Sequence, residues 1–153
     1  MLRSSLAIAL VGLAATALDA QEPTLRSVSE HLEQGAEDPV GTRRFAARRC
    51  SALFSLISVQ MGDRGDRATA EMYANWVIGF GVVATMAGME LGSTRAEARR
   101  ENESAVDEIG EVLKQRMNRN MAFSRSYYMN DPLLSSDVRT CRDLVDEFRL
   151  NDA

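Results

Sequence analysis

Residues 66–91 read DRATAEMYANWVIGFGVVATMAGMEL, and this stretch decides the fold. Met72, Tyr73, Trp76, Val77, Phe80, Val83, Ala84, Ala87 and Leu91 recur at three- and four-residue intervals, which gathers them on one wide face of an α-helix. No period-two alternation competes with that spacing here or elsewhere in the chain, so strands are not expected. From 76 to 89, 14 residues carry only small or apolar side chains and Thr85. That run falls short of the ~20 residues needed to cross a bilayer, and Glu90 closes it. It predicts a central buried helix; the alternative is a helix lying on a membrane surface. Gly79 and Gly81 each weaken a helix by ~1 kcal/mol relative to Ala, which makes this the place where a kink or break can fall. Ala84, Gly88 and Gly92, spaced by four, match the small-residue pattern that lets helices approach closely.

Outward from this segment the same periodicity continues. Upstream, Thr42 is expected to cap a helix over 42–61 with Ala46, Cys50, Leu53, Phe54, Ile57 and Met61 inward and Gly62 at its end. A shorter helix over 24–37, carrying Leu25, Val28 and Leu32, should stop at Asp38-Pro39. Downstream, Thr94 and Glu97 form a capping box that opens a helix from 95 to beyond 121. Its inward stripe is Ala98, Ala105, Val106, Ile109, Val112, Leu113 and Met117. Residues 125–131 are ambiguous. Ser136 then caps a last helix over 137–149 with Val138, Cys141, Leu144, Val145 and Phe148 inward. The expected fold is all-α: a single-domain bundle of four to five helices stapled by one disulfide.

Residues 1–20, MLRSSLAIALVGLAATALDA, have the layout of a signal peptide: Arg3, an apolar core over 6–18, and cleavage after Ala17 or Ala20. The helical domain then occupies 21–153. Only Lys114 among the 18 basic residues is a lysine, a bias that suggests a GC-rich bacterial genome. A periplasmic or secreted protein is expected, with an uncleaved N-terminal anchor as the alternative. In such a compartment Cys50 and Cys141, each inside an apolar stripe, should pair.

A chain of 153 residues suits one domain, and a net charge of -4 argues against nucleic-acid partners. Two cysteines exclude a four-cysteine zinc site. His31, the single histidine, lies among acids without a second ligand or a nucleophile partner and reads as solvated surface. Glu103, Asp107 and Glu111 stack like charges at i+4, and Arg43, Arg44, Arg48 and Arg49 form the opposite patch. The two patches are expected to be solvated, or to pair between helices or dock a partner. Tyr127 and Tyr128 are residue types common in binding surfaces, or the lid of the bundle. Met61, Met72, Met86, Met89, Met117, Met121 and Met129 are expected to fill the core rather than bind copper. Arg64-Gly65-Asp66 reads as a turn with Asp66 as the N-cap of the next helix, and Asn102-Glu103-Ser104 is a glycosylation sequon that matters only in a eukaryote.

No phosphate loop, haem motif or nucleophile elbow is present, so no catalytic, cofactor or metal residue is assigned. The sequence points to a non-catalytic exported module that binds a protein or small ligand in the envelope. Partner-binding candidates are Arg43, Arg44, Arg48, Arg49, Tyr127 and Tyr128. The alternatives are an envelope enzyme using Glu90, Glu103, Asp107 or Glu111, and a membrane-surface protein.

Overall fold

Side-chain caps set the boundaries of the helices in a computed structural model that describes residues 25–151. The leader over 1–20 and its cleavage sites lie outside the described residues. Ser27 and Glu30 form a reciprocal capping box for α1, Val28–Gln34, which tightens into a 3-10 turn over Gly35–Glu37. Asp38 then caps α2, Pro39–Asp63, by accepting from the Gly41 amide, with Pro39 preorganised at its first position. The expectation that Asp38-Pro39 only stops a helix and that Thr42 starts one is therefore corrected. The same proline that cannot continue α1 opens α2. Thr42 is buried, and its hydroxyl donates to the Gly35 carbonyl at 3.2 Å.

Gly62 is likewise inside α2 rather than at its end; the left-handed turn falls on Gly65, with φ +82°. Asp66 caps α3, Arg67–Glu90, through the Thr69 amide. No break occurs at Gly79 or Gly81: α3 runs as one helix through both. Gly79 makes room for Leu150 instead, since a Cβ there would lie 2.9 Å from Leu150 Cδ2. The Thr94–Glu97 capping box opens α4, Arg95–Ser124, as the sequence predicts. The last helix starts earlier than Ser136. Asp131 accepts from the Leu133 and Leu134 amides, and Pro132 begins α5, Pro132–Glu147.

Five α-helices and no strand occur among the described residues: an all-α single domain. The antiparallel pair α2 and α3 forms its centre, with α4 against both and α1 and α5 closing the other side of α2. Phe54 organises the core, meeting the rings of Tyr73, Trp76 and Phe80 at 5.0, 5.4 and 5.9 Å between centroids. Leu53, Ile57, Leu113, Met117, Leu134 and Val145 fill in around it. Val112, expected inward, is exposed, while Asn102 takes a buried place one turn after Ala98. The close approach predicted from the small residues is real at Gly88. A Cβ added there would lie 2.8 Å from the Ala98 Cβ across the α3–α4 contact.

Cys50 and Cys141 form the expected disulfide, joining α2 to α5 across 91 residues of sequence, with both cysteines fully buried. One residue before Cys50 and one turn before Cys141, Arg49 and Asp137 make a buried ion pair, Nε to Oδ2 at 2.9 Å. Asp137 also accepts from the Val28 amide at 2.7 Å, so a single carboxylate ties α1, α2 and α5 together.

Candidate functional site

The four arginines of α2 do not form one solvent-facing patch. Arg49 is buried against Asp137. Arg43 pairs with Glu90 at the end of α3, and Arg44 with Glu101 on α4. Arg48 donates to Asn102 Oδ1 at 2.6 Å, and Arg44 Nε reaches the same oxygen at 3.4 Å. Asn102 Nδ2 in turn donates to Thr85 Oγ1, whose hydroxyl donates to the Gly81 carbonyl. The outcome is a polar seam along the α2–α3–α4 junction, centred on a buried asparagine. Loss of hydration, then the neighbouring Arg44 charge, draws the Arg48 guanidinium below its ordinary pKa, with Glu101 opposing. Asn102 is the sequon residue, and its amide is committed to this seam inside a helix.

Glu103, Asp107 and Glu111 are all exposed. Glu103 pairs within α4 with Arg99 at 2.8 Å, and Glu111 lies 4.0 Å from Lys114 and accepts from Gln115. Opposite charges do meet between helices, but the acids used are Glu90, Glu101, Asp137 and the α5 cap Asp131 rather than that triplet. Glu90 lies at the C-terminal end of α3, and the other three are on α4. The four acids considered for an enzyme are all exposed, and none of them lines either of the two main grooves, one beside Trp76 and one beside Leu32.

Tyr127 and Tyr128 are half-buried against the core, and the Arg64 guanidinium lies 5.5 Å from the Tyr127 ring. His31 is half-buried, its ring tilted against Phe45 at 3.8 Å between centroids. Asp131 is held by Arg116 through two contacts, Nε to Oδ2 at 2.7 Å and Nη2 to Oδ1 at 3.1 Å. Burial works against its charge. The Arg116 bond and the Leu134 and Leu133 amides outweigh that and hold the carboxyl below its usual range. At Asp137 the balance reverses: burial lifts the carboxyl above its usual range despite Arg49 and the Val28 amide.

One feature has no counterpart in the inward stripes, the outer face of α3. Ile78, Val82, Met86 and Met89 are 68%, 53%, 58% and 41% exposed, on the side opposite Tyr73, Trp76, Phe80 and Ala84. Their spacing of four, four and three makes a continuous ridge. Met86 and Met89, with Met72 and Met129, were expected in the core and are exposed; only Met117 among the methionines of the described residues is fully buried. The cause is architectural: α2 and α4 cover one side of α3, and its apolar residues run all the way round. By length and composition α3 is sufficient to cross a membrane, which the count of 14 residues undervalued because it omitted the turns before Trp76 with Ala68, Ala70, Met72, Tyr73 and Ala74. Yet 33% of its most apolar stretch is buried inside the protein. The signal for the ridge was present as the apolar residues left over once the inward stripe was assigned. Compared with known protein families, curated proteins and solved structures, the chain matches none.

Proposed function

We propose that this protein is an exported, non-catalytic helical binding module whose α3 ridge docks an apolar helix of a partner protein. The observation that carries this reading is the exposure of Ile78, Val82, Met86 and Met89 along one face of a continuous helix. Four apolar anchors at helical spacing are what helix-to-helix recognition requires, and flexible methionines adapt such a face to a partner. A disulfide between fully buried cysteines suits an oxidising compartment. The surface acids are committed in part to helix-to-helix or in-helix pairs, which supports binding over catalysis.

Membrane association is the second reading, favoured by the length and composition of α3. Charge argues against it. Helices that lie on bilayers carry Lys and Arg on their polar face, whereas α3 has Arg67 against Glu71 and Glu90 in a chain of net charge -4. The test is a photoreactive residue at position 82, with position 103 as control, in cells of the source organism. A discrete protein adduct at 82 that is missing at 103 supports the proposal. Adducts to lipid alone, or none above the control, reject it. Osmotic-shock fractionation of the same cells tests export independently.

A further inference from the structure

We propose that the groove between α3 and α5 binds a small zwitterion, an amino acid or dipeptide with an apolar side chain. The groove is open on one side and offers about 510 Å³, within the range of ~300–1,000 Å³ typical of small-molecule sites. Trp76 forms part of its wall, and α5 supplies Arg139, Arg142, Asp143 and Asp146. Neither guanidinium forms an ion pair among the described residues, although an aspartate follows each at i+4. Arginine placed before the acid is the weaker order on a helix, so both remain available to an incoming carboxylate. Asp143 and Asp146 leave the wall with as many negative as positive charges. A ligand carrying one charge of each sign is matched by that wall; a simple anion meets two carboxylates as well as two arginines.

The aromatic side is preorganised. Trp76 Nε1 donates to Asn151 Oδ1 at 2.8 Å, and Asn151 Nδ2 donates to Asp146 Oδ1 at 3.2 Å. Tyr73 meets the Trp76 ring edge-on at 5.2 Å and Phe54 packs beside it. The indole therefore stays fixed, and the 8% of Trp76 that is exposed meets an incoming apolar side chain together with Val138.

Trp76 is the single tryptophan of the chain, so its emission reports this groove alone. The test titrates the dipeptide Ala-Leu into the full disulfide-bonded protein, read by tryptophan fluorescence and by calorimetry. Saturable binding is expected, weakened about tenfold or more for N-acetyl-Ala-Leu, for Ala-Leu amide and for the Arg139→Gln/Arg142→Gln variant. Those two arginines are exposed, and circular dichroism of the variant should match the parent. Three results overturn the proposal: no saturable binding by either method up to millimolar dipeptide, equal binding of the blocked analogues, or acetate binding as tightly as Ala-Leu. Unchanged affinity in the arginine variant also overturns it.

Discussion

Asp137 shows how one side chain governs the energetics of a bundle. Its carboxylate and Arg49 are both almost wholly removed from water, and each compensates the other. Arg49 Nη2 lies 2.8 Å from Oδ2 but off the hydrogen-bonding direction, so Nε carries the aligned bond. Asp137→Ala leaves a buried guanidinium alone and should cost about 3–5 kcal/mol. The paired replacement Arg49→Met/Asp137→Leu should recover most of that loss, as read by urea melts of both variants. Asp131 acts in the opposite sense with pH. Its folded pKa lies below the ordinary 3.8, so its contribution is present at neutral pH and lost as acid protonates it. Asp131→Asn should therefore lower the melting temperature at neutral pH and flatten the decline on acidification below about pH 4. Asp137, with its raised pKa, opposes that trend: its contribution is present below the ordinary value and lost as pH rises through the folded one. An Asp131→Asn variant as acid-sensitive as the parent would refute the assignment. Glycines separate equally cleanly. Gly88→Ala presses a methyl onto Ala98 and should cost roughly 1–3 kcal/mol. Gly81→Ala meets open space inside a helix and should stabilise by roughly 0.5–1 kcal/mol.

At the scale of elements, legibility tracked the strength of local chemistry. The Thr94–Glu97 box and Asp66 marked helix starts because a side-chain oxygen and a free amide meet within one turn. Asp38-Pro39 reads as a stop and Asp131-Pro132 does not read as a start, although proline at a first helical position costs no hydrogen bond and opens both helices. The inward face of α2 was readable from Ala46 to Ile57, since a single stripe there has a single solution. α3 was not, because apolar residues all round it leave periodicity without contrast and only the placement of α2 and α4 decides which face is covered. Asn102 and Asp137 escaped for a related reason. Polar residues on a helix read as surface until a partner from another helix, Arg48 or Arg49, is brought to them. The ridge itself yields a prediction at this scale. Val82→Asp, on an exposed face, should change stability by less than about 0.5 kcal/mol while abolishing any adduct formed at the neighbouring Ile78 or Met86. A variant that unfolds instead would mean the face is packed.

For the whole molecule, two fastenings one turn apart hold the last helix to the second. Reduction of the Cys50–Cys141 bond frees a loop of 91 residues and should lower stability by roughly 4 kcal/mol, measured by denaturant melts with and without reductant. The same bond has a consequence for how the chain breaks. It closes a covalent ring that contains α3 and α4 entire, together with the exposed turns at Gly65 and Gly92. Surface turns of small and polar residues are where proteases nick. A single cleavage at either turn opens the ring without releasing a fragment. The nicked protein should therefore migrate as one species on a non-reducing gel and as two pieces only after reduction, so that damage to its most exposed turns leaves the assembly in one body.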